Sequence, residues 1–211
     1  VFSVKEKDAS AYVFGVLPEK KEIPLYGIEN VLMVQFIPGS FTWATGIPAD
    51  EVPPEGFKLE DVFPWALSTM EGINAVDSEQ EHSLLLRRFL DQCQAKKTGR
   101  RDSDEKMAAS IAGYMMQNRR AVRMKELEDR YGYTARTLQK LVLKNVGITP
   151  KQLSLQICLQ SAIRQLSDNK ECSLTEMSHQ MDFYDQSHFN RIFRKMTGLC
   201  PGEYIKRLEG R

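Results

Sequence analysis

Two periodicities divide the chain. Up to about residue 58 the apolar positions come in short runs: Ala11 to Val16 and Val31 to Phe36 are apolar or alternating and bounded by Pro and Gly, and Phe41-Thr-Trp-Ala-Thr reads as a third. Runs of this length predict strands. Seven of the nine prolines fall between Pro18 and Pro64, which suits a loop-rich antiparallel sheet, because proline lacks the N–H that a central strand or helix interior requires. From about Leu59 the period lengthens to that of a helix. Leu85, Phe89 and Cys93, with Leu86 and Leu90 beside them, predict a helix over Ser78 to Gln94 carrying one apolar stripe. Beyond residue 102 the pattern is helical almost throughout. Asp102 and Glu105 have capping-box spacing, and Met107, Ile111, Tyr114 and Met115 follow on one helical face. Thr149 and Gln152 form a second box around Pro150, opening a long helix through Leu155, Leu159, Ala162 and Leu166. Ser173 and Glu176 form a third. The fold class is α+β: a β-rich N-terminal segment with a helical hairpin, then an all-α domain.

The helical half repeats itself. Leu138, Leu141 and Val142 are followed by Gly147-Ile148-Thr149-Pro150, and 51 residues later Phe189, Ile192 and Phe193 are followed by Gly198-Leu199-Cys200-Pro201. The preceding segments, Leu127 to Tyr133 and Met177 to Phe183, match at an offset of 50, so the second copy has one extra residue in its turn. Each copy reads as helix, short turn, helix, a glycine stop and a proline that starts the next helix. The second helix of such a pair is about 10–12 Å across and fits a DNA major groove about 12 Å wide. With Leu138, Leu141 and Val142 inward, Arg136, Gln139 and Lys140 share the opposite face. With Phe189, Ile192 and Phe193 inward, Ser187, Asn190 and Arg191 take the matching places, with Gln186 and His188 near the helix start. Arg or Lys bonds guanine O6 and N7, Gln or Asn bonds adenine N6 and N7, and Ser or His reaches a base edge or phosphate. Lys144, Arg194 and Lys195 read as phosphate neighbours or plain surface, and Phe183, Phe189 and Phe193 as core rather than a base-stacking platform.

Composition adds a division of charge. The chain has 211 residues, 42% apolar and 27% charged, which is ordinary for a globular protein of one large or two small domains. Its net charge of +1 conceals an asymmetry: residues 1–99 hold 9 Lys/Arg against 15 Asp/Glu, and residues 100–211 hold 20 against 13. The sign changes within Ala95 to Ser103, a charged stretch without apolar periodicity that reads as a linker. The domains expected are 1–95 for sensing or dimerisation, 96–102 as linker and 103–211 for DNA binding. The chain opens at Val1 in strand-like sequence, so 1–95 reads as part of a longer domain, although processing or removal of a tag leaves the same start.

Other chemistry is thin. Apolar runs such as Val31 to Val34 and Leu84 to Leu86 fall far short of the roughly 20 residues of a membrane span, and no signal peptide is expected. Cys93, Cys158, Cys172 and Cys200 are scattered, which suits reduced thiols in a cytoplasmic protein. His82, His179 and His188 lie far apart with no ligand spacing, so neither a metal nor a cofactor is expected. Trp43 and Trp65 read as core before ligand pocket, and the Leu85/Phe89/Cys93 stripe as core before dimer interface.

The segment Asp182-Phe-Tyr-Asp-Gln-Ser-His-Phe-Asn-Arg-Ile-Phe-Arg-Lys-Met-Thr-Gly-Leu-Cys-Pro-Gly-Glu-Tyr-Ile resembles the second helix-turn-helix of AraC-type (AraC/XylS) transcription regulators, and the likeness covers roughly residues 103–208. It implies seven helices with Thr149 to Leu166 as the linker helix, and a cupin-like sensing or dimerising domain ahead of them. Carried over by position, base contact falls on Arg136, Gln139 and Lys140, and on Gln186, Ser187, His188 and Arg191. The chain departs from the family pattern at several places. Glu128 and Ser178 stand where a small residue packs against the recognition helix, Val142 where an aromatic is usual, Asp182 for a glycine and Cys158 for a linker-helix arginine. The first motif is the weaker match. The acidic half is loosely similar, chiefly through Val34-Gln-Phe-Ile-Pro-Gly-Ser-Phe.

The function expected is a sequence-specific DNA-binding regulator with two recognition helices in successive major grooves, controlled by a small-molecule effector or by homodimerisation. Its partners are double-stranded DNA and, by the resemblance, RNA polymerase, with no membrane. The alternative is a DNA-targeted enzyme such as a cysteine-dependent repair methyltransferase, but the sequence has no Cys beside a His and no zinc-type cluster.

Overall fold

The computed structural model of the protein describes residues 2–5, 10–16, 28–66, 68, 71–72, 78–95, 102–168, 174–181, 183 and 185–209. The chain divides into two compact units, one built mainly from Ile23–Met107 with the strands before it, the other mainly from Ala108–Leu143 and Ile148–Arg211. Most of the expected linker, residues 96–101, lies outside the described residues.

In the first unit, among the described residues, four short strands, β1 (Phe2–Lys5), β2 (Ser10–Val13), β3 (Ile28–Leu32) and β4 (Phe57–Lys58), form an antiparallel sheet in the order β3-β1-β2-β4. Ala11 and Val13 are buried and Tyr12 between them is exposed, the alternation that a pleated strand with one covered face imposes. The strand expected over Val31 to Phe36 lies further back, because the described pairing ends at Phe2↔Leu32. The segment expected as a third strand is instead a helix, α1 (Phe41–Thr45). The Ala44 N–H donates to the Ser40 carbonyl, and Gly46 adopts φ 76° so that its N–H closes the turn on Thr42. The glycine stop thus ends a short helix in spite of the β-branched and aromatic content before it.

α2 (Leu59–Val62) begins where the helical period does, and α3 (Glu79–Ala95) carries the apolar stripe. Phe89 and Cys93 are buried in a cluster with Ala11, Val13, Leu59, Phe63 and Ala66. The Phe89 ring meets Phe63 edge-on at 5.4 Å and Trp65 at 5.3 Å, so Trp65 serves packing. Leu90, beside the stripe, is 45% exposed.

Seven helices follow among the described residues: α4 (Ser103–Asn118), α5 (Met124–Tyr131), α6 (Ala135–Val146), α7 (Pro150–Asp168), α8 (Leu174–Gln180), α9 (Gln186–Thr197) and α10 (Pro201–Glu209). Two of the capping boxes are formed. The Glu105 N–H donates to Asp102 Oδ1 at 2.7 Å and the Asp102 N–H to Glu105 Oε2 at 3.2 Å; Thr149 and Gln152 exchange the same pair of bonds at 2.9 and 3.3 Å. Each box satisfies N–H groups that no helical carbonyl can reach. Ser173, in the third, lies outside the described residues. Gly147 and Gly198 take φ 89° and 81°, the left-handed conformation that ends a helix and that a side chain strains. Pro150 and Pro201 then start α7 and α10, where a missing N–H costs nothing.

α7 joins the two motifs. One face of it is buried through Leu153, Ser154, Ile157, Cys158, Leu159, Ala162 and Leu166. Two bonds from the loop before α5 hold the assembly: the Val122 N–H donates to buried Ser154 Oγ at 2.8 Å, and the Ala121 N–H to the Met181 carbonyl at 3.2 Å. The first bond ties the loop to the linker helix and the second ties it to the turn of the other motif.

Candidate nucleic-acid interface

The first motif is α5 and α6. Leu138 and Val142 on α6 are buried and Leu141 is half-buried, while Arg136, Gln139 and Lys140 are all exposed, as the period requires. The outward stripe runs Arg136, Lys140, Leu143 and Lys144, residues that recur at helical spacing. Leu143 is 37% exposed among these cations.

Two side chains start α6. Thr134 Oγ1 accepts from the Thr137 N–H at 3.4 Å, and Glu128 on α5 reaches across the turn to accept from the Ala135 N–H at 2.7 Å. α5 ends at Gly132, φ 72°, whose N–H donates to the Glu128 carbonyl at 2.9 Å.

The second motif is α8 and α9. Phe189 and Phe193 are buried with Met177, Met181, Phe183 and the α7 residues Cys158, Leu159, Ala162 and Leu166. The three phenylalanines are therefore core. Asp185 caps α9 by accepting from the His188 N–H at 2.6 Å. Ser187, Arg191, Arg194 and Lys195 are exposed on one stripe of α9, the counterparts of Arg136, Lys140, Leu143 and Lys144.

The other three candidates on α9 are half-buried. Gln186 accepts a bond from Thr175 Oγ1 at 2.8 Å through its amide oxygen. The His188 ring stands edge-on to Phe183 at 5.5 Å with its Nδ1 buried and without a protein partner. Asn190 turns its amide oxygen into the protein, also without a partner, so it lies at the flank of the outward face rather than on it. Asp185, Ser187, His188 and Arg191 line a shallow depression at the start of the helix. Arg194 and Lys195 share the stripe of Ser187 and Arg191, as their helical spacing requires.

A charged knot braces the first motif from behind. Arg120 donates to both carboxylate oxygens of Glu126, at 3.1 and 2.8 Å, the Tyr114 hydroxyl donates to Glu126 Oε1, and the Arg130 guanidinium lies 4.2 Å from the centre of the Tyr114 ring. The Arg120 bonds, then the Tyr114 bond, hold the Glu126 carboxyl below the usual carboxylate range. The Glu126 bond pushes the Tyr114 hydroxyl above its ordinary value.

Among the described residues no three His, Cys, Asp or Glu side chains gather as a metal site, and no helix is long and apolar enough to cross a membrane. Of the cysteines, Cys93 and Cys158 are buried, Cys200 is half-buried, and Cys172 lies outside the described residues.

Comparison with known proteins points the same way. Residues 127–207 match a family described as "Helix-turn-helix domain". The chain is 29% identical over 100 residues to the HTH-type transcriptional activator RhaS of Pectobacterium carotovorum, covering 47% of this chain and 36% of that protein. It is 30% identical over 83 residues to RhaS of Escherichia fergusonii, covering 39% and 30%. The match thus spans about a third of these relatives' length. Among solved structures, a DNA-binding transcriptional dual regulator of Escherichia coli K-12 is similar at 21% identity and a TM-score of 0.43, over 50% of this chain and 94% of that one. The double motif and its sequence relatives agree, and residues 127–207 of this chain form a helix-turn-helix domain of the AraC type.

Proposed function

We propose that the protein is a sequence-specific DNA-binding transcription regulator that lays α6 and α9 into successive major grooves, about 34 Å apart along one face of the duplex. One observation carries the reading: the same outward stripe occurs in two copies, filled by Arg136, Lys140 and Lys144 in one and by Ser187, Arg191, Arg194 and Lys195 in the other. Arg136, Gln139, Lys140, Ser187 and Arg191 contact base edges, with Gln186, His188 and Asn190 reaching the groove from the flank. Lys144, Arg194 and Lys195 lie further along each helix and meet phosphates.

The relatives' description as activators supports the same direction of control here; RNA polymerase as partner and a cytoplasmic location rest on the family resemblance alone. Residues 1–95 are the sensing or dimerising part, cupin-like in type, answering to a small-molecule effector or to a second copy of the chain. Residues 96–102 are the linker and 103–211 the DNA-binding domain. The enzyme alternative needs a reactive thiol beside a base, and burial takes Cys93 and Cys158 out of that role.

Mobility shifts on DNA upstream of the protein's own coding region test the reading. Arg191→Ala is expected to weaken specific binding by about 1–3 kcal/mol, and log affinity is expected to fall against log salt with a slope of about −0.9 per phosphate contact. A flat salt dependence, or equal affinity for every sequence, removes it.

A further inference from the structure

We propose that Glu128 is a positioning residue for the first recognition helix, setting the angle at which α6 leaves the turn. The inference rests on the DNA-reading role assigned above to α6.

Glu128 holds both ends of one turn. Its backbone carbonyl accepts the Gly132 N–H that closes α5, at 2.9 Å, and its side-chain Oε1 accepts the Ala135 N–H that opens α6, at 2.7 Å. Only Gly132, Tyr133 and Thr134 lie between the two helices. A residue tied to both anchors leaves that short segment few ways to bend. The first N–H groups of a helix have no partner inside it, and the positive end of the peptide dipoles lies there, so a carboxylate is well matched to the site.

The second motif solves the same problem differently. Ser178, its counterpart at the repeat offset, also accepts the turn's N–H through its carbonyl, from Phe183 at 3.0 Å, but its hydroxyl donates back to the Thr175 carbonyl at 2.8 Å and does not reach α9. There the helices are tied by the side chains of Thr175 and Gln186 across a longer turn, five residues against three. The glutamate thus belongs to the shorter turn.

Position matters because Arg136, Gln139 and Lys140 ride on the helix that Glu128 aims. Each residue adds about 1.5 Å along the axis, so a hinge at Ala135 displaces a side chain in proportion to its distance from the start. Loss of the bond is therefore expected to blur sequence discrimination by α6 and to leave that of α9 alone.

Selection of bound sites from random DNA by the full 211-residue chain tests this, comparing wild type, Lys140→Ala, Glu128→Ala and Glu128→Gln. Lys140→Ala identifies the half-site that α6 reads. Glu128→Ala is expected to lower preference within that half-site about tenfold, the worth of one charge-assisted hydrogen bond, with the other half-site unchanged. Glu128→Gln, which keeps the acceptor oxygen but not the charge, is expected to restore it in part. Exchange of the Ala135 amide proton, measured on the same proteins, should quicken in Glu128→Ala alone. A wild-type profile for Glu128→Ala overturns the proposal. So does a Glu128→Gln profile as flat as that of Glu128→Ala, or equal loss at both half-sites together with a lower melting temperature, which marks general destabilisation. If the wild type selects no sequence, the regulator reading itself fails and this inference falls with it.

Discussion

The two helix-turn-helix copies share a frame and differ in almost everything that fills it. Both end the recognition helix on a left-handed glycine and start the next helix on a proline, Gly147 and Pro150 in one, Gly198 and Pro201 in the other. Inside that frame Val142 stands opposite Phe193, exposed Tyr133 opposite buried Phe183, and Leu143 opposite Arg194. The second copy gathers three phenylalanine rings at 5.3 and 5.7 Å. The first relies more on polar ties, Glu128 at the turn and Glu126 behind it. A helix-turn-helix therefore constrains where the chain must stop, start and bury an apolar side chain, and leaves open whether rings or hydrogen bonds fix the angle between its helices.

That contrast can be broken at the core. Phe193→Ala is expected to destabilise the protein by about 3–5 kcal/mol and Val142→Ala by about 1–3 kcal/mol, since both the lost transfer energy and the cavity scale with the atoms removed. Urea unfolding of the two variants measures it, and equal losses would erase the distinction. On the outer faces, Lys140→Arg should keep most of the affinity for a selected site, whereas Arg191→Lys should lose about 1 kcal/mol or more, because a lysine cannot reproduce a two-pronged guanidinium contact. Mobility shifts on one site give both numbers.

The polar bracing of the first copy has its own pH dependence. The folded protein holds the Glu126 carboxyl below its usual 4.5, so the stabilisation it brings is complete above that value and is lost as pH falls through the depressed one. Glu126→Gln should remove this part of the acid sensitivity. Because the partners are partly exposed, the difference at neutral pH is expected to stay below about 1 kcal/mol; unchanged acid unfolding in the variant would count against the knot. The smallest effect concerns salt. Leu143→Arg copies the cation of the second motif into the first and should steepen the salt slope by about 0.9, one phosphate's share. An unchanged slope would put that end of α6 away from the backbone.

Much of the helical half was legible because its cues are local. The boxes at Asp102 and Thr149, the glycine stops and the buried Leu138, Phe189 and Phe193 all follow from residues within one or two turns of each other. What was not legible depended on neighbours distant in the chain or on direction. Phe41 to Thr45 carries strand-like residues, yet it forms a short helix closed by left-handed Gly46. Asn190 lies at the expected spacing, yet its amide oxygen turns inward, a choice of side-chain torsion that spacing does not determine. Glu128 was visible only as a departure from the family pattern; that it bonds the Ala135 N–H depends on how α5 and α6 cross.

The two bonds from Ala121 and Val122 bear on the DNA as much as on the protein. By tying one short loop to Ser154 and to Met181 they join the linker helix and the far turn, and a reader built that way is sensitive to phase. B-DNA turns once in about 10–10.5 base pairs, so inserting about five base pairs between the half-sites carries the second to the opposite side of the duplex. A chain with flexibly tethered motifs would follow it round, while this one would be left holding a single half-site.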